Sequence, residues 1–414
     1  MNLSVSSVPI DDDRPLLDLL PHTPDALAWV RDGAGLVAWG VAARIEAGRG
    51  PERFHRAWEH LRSLADRSEV DDAVGLPGSG LIGIGSFTFD ADADGSVLVV
   101  PRVVIGRRDG STWRTDLTPP GAPPAPPAAA TPPVTTVSRP RYAGSSLPDV
   151  HWLEAVARAI TRIEAGEAEK VVLARDHAVW SHDPFDAIDL ARRLTARFPS
   201  CHTFVVEGLV GATPELLLAR AGPAVTSRVL AGTTARSDDE VEDAALGAAL
   251  LASEKDLVEH RFAADSVREV LAPRCADLAG EPGPRLLRLD NVQHLATTFR
   301  GHLDDPATSA LELVGALHPT AAVGGTPRQA ALAMIRELEG MSRGRYAAPV
   351  GWTDAAGDGE WGIALRCAEL AGARARLFAG VGVVAASLPE AELEETRLKL
   401  LAMQAAFGAD PVAP

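Results

Sequence analysis

Lysine is nearly absent from this chain: only three of its 414 residues are lysine, whereas 37 are arginine. The three are Lys170, Lys255 and Lys399. In a chain this rich in arginine, we expect arginine at every position that needs only a positive charge. A desolvated ammonium can lose its proton near neutral pH, whereas a guanidinium cannot. The three lysines are therefore candidates for roles that arginine cannot fill.

Other scarcities exclude whole classes of protein. The three cysteines (Cys201, Cys275 and Cys367) are widely spaced, which excludes a disulfide framework and a cysteine metal site and suits a reducing cytosol. No stretch approaches the roughly 18 unbroken apolar residues of a membrane helix, and the N-terminus lacks the features of a signal peptide. The net charge of −16 argues against a nucleic-acid partner and means that an anionic substrate needs local arginines or a metal ion. We expect a soluble cytoplasmic protein.

A proline-rich segment divides the chain. Eight prolines lie between Pro119 and Pro133, a density that favours a surface loop or linker over a core element. The sequence therefore predicts a β-rich region over 1–117, a Pro/Ala-rich loop over 118–142, and the functional region over 143–414.

Beyond this segment, amphipathic helices alternate with short apolar strands. The predicted helices are His151–Glu164, Asp186–Phe198, Asp239–Leu271 and Glu390 to about Ala405. The predicted strands are Val171–Val179, Thr203–Leu209, Glu215–Arg220, Ala224–Leu230, Ala347–Thr353, Glu360–Arg366 and Arg374–Val384. Short turns between strands favour antiparallel pairing, so the expected fold class is α+β.

Two helices each carry two carboxylates three residues apart, which places each pair on one face. The pairs are Asp256 with Glu259 and Glu392 with Glu395. Two such faces can assemble an all-oxygen site for a hard divalent cation such as Mg²⁺. A single pair is more often a solvated helix face, but here Lys255 and Lys399 lie close to the two pairs in sequence.

A candidate acid and base lie at the starts of apolar strands. Glu215 follows Pro214 and opens one strand, where partial burial would raise its pKa as a general acid requires. Lys170 precedes Val171, where burial would lower the pKa of its ammonium. The alternative for Glu215 is a strand-edge carboxylate facing solvent.

Other residues are suited to binding a carboxylate. Backbone amides can approach a ligand closely at glycines in or after strands, here Gly232, Gly380 and Gly382, although such glycines also mark bulges. Arg366 can pair with a carboxylate through two parallel hydrogen bonds. Tyr346 can donate a hydroxyl proton; ordinary packing is its alternative.

Seven segments, in this order, resemble the chorismate-utilising enzymes, a family that includes isochorismate, salicylate, anthranilate and aminodeoxychorismate synthases. The segments are KVVLAR, GATPELLL, AGT, SEKDLVEH, GDGEWGIALR, AGVGVV and ELEETRLK. The resemblance covers about residues 150–406 and implies one large chorismate-binding domain of antiparallel sheets flanked by helices. The proline-rich insert is not part of the family's pattern.

The resemblance also implies roles for individual residues. Lys170 matches the general base that activates water for attack at C2 of chorismate, and Glu215 matches the general acid that protonates the departing C4 hydroxyl. Glu259 and Glu395 match the direct Mg²⁺ ligands, with Asp256 and Glu392 in supporting positions. The residues that match those binding the enolpyruvyl carboxylate in the family are Arg366, Tyr346 and Gly380. Further positions that match the substrate pocket are Gly232, Thr233, His294 and Lys399.

Three positions discriminate within the family. Ala231 stands where aminodeoxychorismate synthases carry a nucleophilic lysine, and Ala322 stands where anthranilate and salicylate synthases carry threonine. Gly359-Glu-Trp361 resembles siderophore-type isochorismate synthases. The sequence therefore predicts a monomeric, Mg²⁺-dependent isochorismate synthase, whose product feeds either menaquinone or siderophore formation. The alternatives are a salicylate synthase, an ammonia-using anthranilate or aminodeoxychorismate synthase subunit, and a non-catalytic chorismate-binding protein.

Overall fold

The structure is a computed structural model that describes residues 2–123, 127 and 140–408. Within these residues, the strands are β1 (Ser4–Pro9), β2 (Leu27–Arg31), β3 (Ala34–Glu46), β4 (Glu69–Asp72), β5 (Ile82–Ser86), β6 (Val97–Arg108), β7 (Ser111–Thr118), β8 (Arg141–Tyr142), β9 (Lys170–Trp180), β10 (His202–Val206), β11 (Leu209–Thr213), β12 (Leu216–Ala221), β13 (Ala224–Ala235), β14 (Ala279–Gly280), β15 (Arg285–Arg288), β16 (Val292–His302), β17 (Gly325–Thr326), β18 (Pro349–Asp354), β19 (Gly359–Ile363), β20 (Cys367–Ala371) and β21 (Arg374–Val383). The α-helices are α1 (Arg53–Asp66), α2 (Asp149–Glu164), α3 (Ala187–Arg197), α4 (Glu240–Ala252), α5 (Glu254–Leu271), α6 (Ala310–Leu317), α7 (Arg328–Leu338) and α8 (Pro389–Ala406).

All of these strands belong to one hydrogen-bonded sheet network, and helices flank it. Every described strand pair is antiparallel except β1 with β4. The predicted α+β class with a large antiparallel sheet is confirmed. No described helix combines the length and apolarity needed to cross a membrane.

Strands from both sides of the proline-rich stretch share the sheet. β2 pairs with β10, and β5 pairs with β18, so early strands lie directly beside late ones. β7 ends at Thr118 and β8 begins at Arg141. Most of the predicted surface loop, residues 124–126 and 128–139, lies outside the described residues.

The helices cover two groups of buried apolar side chains. One group contains residues from α1, α2, α5, α6 and α7, such as Phe54, Trp152 and Met334. The other contains residues of α3 and α8, such as Leu194 and Met403. Because a sheet needs its apolar face covered, α5 and α8 lie on it and bring their acidic residues to β13 and β21.

The predicted single helix Asp239–Leu271 is wrong, because the chain leaves helical geometry at Ser253 (ψ 111°). Ser253 ends α4 and caps the start of α5, where its hydroxyl oxygen accepts from the amide of Asp256 at 3.3 Å. A serine in this position competes with helix continuation by satisfying a free amide at the start of a new helix. Asp256 therefore lies in the first turn of α5 and Glu259 about one turn later.

Two predicted strand boundaries are also wrong. Thr203–Leu209 is not one strand: Glu207 (φ 45°) and Gly208 (φ 79°) form the turn between β10 and β11. The strand predicted to end at Arg366 ends at Ile363, and Arg366 itself has a φ of 46°. Such backbone geometry is uncommon outside glycine and is often retained at functional sites.

Candidate active site

The three lysines meet at one site, where each lies against a carboxylate of α5 or α8. The pairs are Lys170 Nζ with Glu259 Oε1 at 3.2 Å, Lys255 Nζ with Glu392 Oε1 at 2.6 Å, and Lys399 Nζ with Glu395 Oε1 at 2.5 Å. All three lysines of the chain therefore lie beside the paired carboxylates of α5 and α8.

Lys170 begins β9 between the short strand β17 and the long strand β21. Its side chain is fully buried, and its Nζ has no hydrogen-bond acceptor among the described residues, although Glu259 is near. The carboxylate is close enough to attract the ammonium but is not aligned to accept from it. A buried, poorly satisfied amine is suited to give up or take a proton when a ligand supplies a partner.

Glu215 lies between β11 and β12 and is 2% exposed. Burial raises the pKa of its carboxyl to about 8, although Lys170 and neighbouring arginines act in the opposite direction. Because this value exceeds 7, Glu215 holds a proton at neutral pH. The alternative of a solvent-facing carboxylate is excluded by its burial, and the side chain has the protonation state that a general acid needs.

Two carboxylates of α5 lie close to strand glycines, at positions where a larger residue would crowd them. A Cβ on Gly382 would be 2.0 Å from Glu259 Oε1, and a Cβ on Gly232 would be 3.4 Å from Asp256 Oδ1. Within the described residues, no group of three or more His, Cys, Asp or Glu side chains is gathered closely enough to hold a metal ion. Lys170 and Lys399 lie against Glu259 and Glu395 instead. The donor chemistry fits a Mg²⁺ ion, because carboxylate oxygens are the ligands that it prefers.

The two carboxylates of α8 titrate differently. Burial, together with the nearby charge of Glu395, raises the pKa of Glu392. Burial alone would also raise the pKa of Glu395, but Lys399 and a hydrogen bond from Thr233 outweigh it and hold that pKa below its ordinary value. Glu395 is therefore the more strongly ionised carboxylate of the pair.

A chain of hydrogen bonds joins Arg366 to Glu395. Arg366 Nη2 donates to His294 Nε2 at 3.0 Å, so the remaining ring proton is on Nδ1, which donates to Thr233 Oγ1 at 3.1 Å. Thr233 in turn donates to Glu395. Burial and the charge of Arg366 hold the pKa of His294 well below its ordinary value, so the ring is neutral. The chain fixes the imidazole tautomer and connects the predicted carboxylate-binding arginine with a predicted metal ligand.

Arg366 carries a buried charge without an ion-pair partner in the described part of the protein. It is 9% exposed, and its Nε lacks a hydrogen-bond acceptor. Isolating a cation from water in this way is costly unless an anion neutralises it. The guanidinium is therefore available to a carboxylate of a ligand.

Tyr346 and Gly380 lie next to each other. The Tyr346 ring stacks on Phe378 with centroids 5.0 Å apart, and a Cβ on Gly380 would be 3.0 Å from the Tyr346 hydroxyl. Lys399 Nζ donates to the carbonyl oxygen of Gly380 at 2.9 Å. Burial raises the pKa of Tyr346 above its ordinary value, so the hydroxyl keeps its proton.

One residue that supports the site was not predicted. His260 follows Glu259 on α5 and is buried. Its Nδ1 donates to Ala231 O at 3.2 Å, and its Nε2 accepts from Thr297 Oγ1 at 2.7 Å. These bonds fix α5 to β13 and β16 and so hold Glu259 in place. The only sequence signal was its position at the end of the SEKDLVEH segment.

The fold and this site define a chorismate-binding enzyme. The family model described as "Chorismate binding enzyme" matches residues 128–408, and the chain belongs to that family.

Its relatives include isochorismate synthases. The chain is 42% identical over 268 residues to isochorismate synthase DhbC of Bacillus subtilis, covering 62% of this chain and 67% of the relative. It is 38% identical over 348 residues to a putative isochorismate synthase MenF of Mycobacterium tuberculosis, covering 80% and 88%. Among solved structures, it resembles a putative 2,3-dihydroxybenzoate-specific isochorismate synthase of Bacillus anthracis with a TM-score of 0.78 and 31% identity, covering 94% of this chain and 98% of the other.

Proposed function

We propose that this protein is a Mg²⁺-dependent isochorismate synthase, which adds water at C2 of chorismate and removes the C4 hydroxyl. The relatives at 38–42% identity that are named isochorismate synthases support this activity. The protonation state and burial of Glu215, and the position of Lys170, support the roles of individual residues.

Lys170 is the general base in this proposal. Its amine takes a proton from water as the water oxygen bonds to C2 of the substrate. The ring double bonds shift and the C4–oxygen bond breaks, while Glu215 donates its proton to the departing hydroxyl, which leaves as water. Proton exchange with solvent then restores both groups for the next turnover. Product and substrate are isomers, so no oxidant or reductant is needed.

Glu259 and Glu395 would hold the Mg²⁺ ion, with Asp256 and Glu392 supporting them. The ion would neutralise the negative charge of the substrate's ring carboxylate. A strongly acidic protein needs such a group to bind an anionic substrate. Lys170 and Lys399 now lie against the two direct ligands. Metal ligation at Glu259 and Glu395 would compete with these two contacts.

The second carboxylate of chorismate, on the enolpyruvyl group, is assigned to Arg366. The unpaired guanidinium is the strongest support for this assignment, because a dianion relieves the cost of its burial. The Tyr346 hydroxyl and the Gly380 amide assist it. Gly232, Gly382, Thr233, His294 and Lys399 complete the pocket.

The observation that carries the proposal is a carboxyl group, Glu215, that keeps its proton at neutral pH beside a buried lysine. The test is to incubate the purified protein with chorismate and Mg²⁺ and to separate the products by chromatography, with and without ammonium. We expect isochorismate alone. Salicylate with pyruvate, or an aminated product, would assign the chain to another branch of the family. Ala322 argues against the first of these products and Ala231 against the second.

The cellular setting is also part of the proposal. The protein acts as a cytoplasmic monomer, with a β-rich region over 1–117 and a catalytic region over 143–414.

A further inference from the structure

A buried ion pair outside the catalytic site, Glu339 with Arg343, has no part in the proposed mechanism. Both side chains are almost inaccessible, at 2% and 4% exposure. Arg343 Nε donates to Glu339 Oε2 at 2.9 Å, and the guanidinium stacks over Phe89 at 4.1 Å from the ring centre. A buried pair of this kind adds little net stability compared with apolar packing, so its further contacts indicate what it does.

Those contacts go to the strand that carries Lys170. On the edge of β9 opposite β21, β17 pairs only at Lys170 and Val171 and β8 only at Val179 and Trp180, so the stretch between them lacks a neighbouring strand. Arg343 Nη2 donates to Val172 O at 2.8 Å, and Glu339 Oε1 accepts from Ala174 N at 2.8 Å. The ion pair thus takes the place of a strand along this edge.

Arg343 also reaches the segment that contains Ala322. Its Nη1 donates to Val323 O at 2.8 Å, so one planar guanidinium bridges the backbone of β9 and the backbone beside Ala322. The carbonyl of Arg343 further accepts from the amide of Tyr346 at 3.0 Å. The side chain of Arg343 therefore joins two backbone segments, and its backbone carbonyl holds a third.

We propose that Glu339 and Arg343 are positioning residues, which set the place of the Lys170 amine by fixing β9 relative to the Ala322 segment. The inference rests on the proposed function, since it assigns the pair a role in the same reaction. The side-chain nitrogen of Lys170 has no hydrogen bond among the described residues. The position of the β9 backbone and the surrounding packing therefore determine where this amine lies. Displacing a reacting group by about 1 Å can cost ~10²-fold in rate.

The main test is Arg343→Lys. Lysine keeps the positive charge opposite Glu339, but its single nitrogen cannot span the two carbonyls that the guanidinium bridges. We expect kcat to fall by about 10- to 100-fold while KM for chorismate changes by less than about threefold, because Arg366 and the metal carboxylates are untouched. Backbone amides of residues 170–175 should also exchange with deuterium faster.

Arg220→Lys is the matched control. Arg220 is likewise buried, pairs with Asp358 at 2.8 Å, and donates to two carbonyls, those of Ala356 at 3.1 Å and Pro306 at 2.6 Å. It lies five positions beyond Glu215, about 16 Å along an extended chain. We expect a similar loss in Tm but little change in kcat or in the exchange of residues 170–175.

Equal effects of the two variants on kcat, or unchanged kcat and exchange in Arg343→Lys, would overturn the positioning role. If Arg343→Lys does not fold, Glu339→Gln serves instead, because the amide carries no charge to pair with Arg343 and places an NH₂ group, a donor, where one carboxylate oxygen now accepts. Full kcat and unaltered exchange in Glu339→Gln would equally overturn it. If the wild-type protein forms no isochorismate, the proposed function fails, and the deuterium exchange comparison still decides whether the pair positions β9.

Discussion

Replacing Gly382 by alanine tests how tightly β21 approaches the acid–base and metal groups. The added Cβ would lie 2.0 Å from Glu259 Oε1 and 2.8 Å from Lys170 Cε. Ordinary contact begins at 3.4 Å, so the carboxylate must withdraw by about 1.4 Å and the lysine by about 0.6 Å. One methyl group therefore moves a proposed metal ligand and the proposed base at the same time.

The fold should tolerate this change better than the activity does. Both displaced groups are ends of flexible side chains, and moving each off its preferred rotamer costs about 1 kcal/mol. A total of about 2 kcal/mol lowers Tm by roughly 4 °C in a large domain. By contrast, moving the proposed metal ligand by about 1.4 Å and the proposed base by about 0.6 Å should lower kcat by ~10²-fold. Mg²⁺ binding should weaken as well.

The measurements are kcat with chorismate, a Mg²⁺ titration by calorimetry, and Tm by differential scanning fluorimetry. Gly283→Ala is the control, because a Cβ at Gly283 meets nothing within 4 Å. If Gly382→Ala kept wild-type kcat and Mg²⁺ affinity, the placement of Glu259 and Lys170 over this glycine would be refuted.

Four further expectations follow from the site. Lys170→Arg should lose nearly as much kcat as Lys170→Ala, about 10²–10⁴-fold, because guanidinium cannot accept a proton from water; substantial rescue by arginine would contradict the general-base role. Lys255→Arg should be tolerated, since it needs only a cation opposite Glu392. Because Glu215 has a pKa of about 8 against an ordinary 4.5, kcat should fall as pH rises through 8. The contribution of Glu215 to the free energy of unfolding should also decline between pH 4.5 and 8. A Glu215→Gln variant whose stability declines equally over this range would be evidence against the raised pKa. Chelator should stop turnover reversibly, and Glu259→Ala should abolish it with the fold intact as judged by circular dichroism; activity in excess chelator would exclude the metal site.

Local sequence pattern was sufficient for the fold class and most helices, because apolar periodicity and capping residues act within a few positions. The helix at Asp186, for example, begins where Asp186 caps the amides of Ile188 and Asp189. Ser253 shows the limit: its flanking residues all favour helix, and only the capping geometry of the folded chain breaks α4 from α5. The turn at Glu207-Gly208 was missed because only these two residues separate the apolar runs of β10 and β11.

Residues of the site were predictable where a motif surrounds them, as for Lys170 and Glu215. What could not be predicted is which groups meet across the sheet. The hydrogen-bond chain through His294 and the bridging of two segments by Arg343 depend on strand register, which joins positions far apart in sequence. The positive φ of Arg366 is also a product of tertiary packing, since arginine itself disfavours it.

The shared sheet has a consequence for dividing the chain. A cut between Thr118 and Arg141 interrupts no described strand pairing, yet it leaves each fragment with an unpaired edge: β2 and β5 in one, β10 and β18 in the other. Exposed edges of this kind recruit complementary strands. Two co-expressed fragments should therefore reassemble into an active enzyme, whereas neither alone should stay in solution as a folded unit, and chorismate turnover then becomes a readout of fragment association.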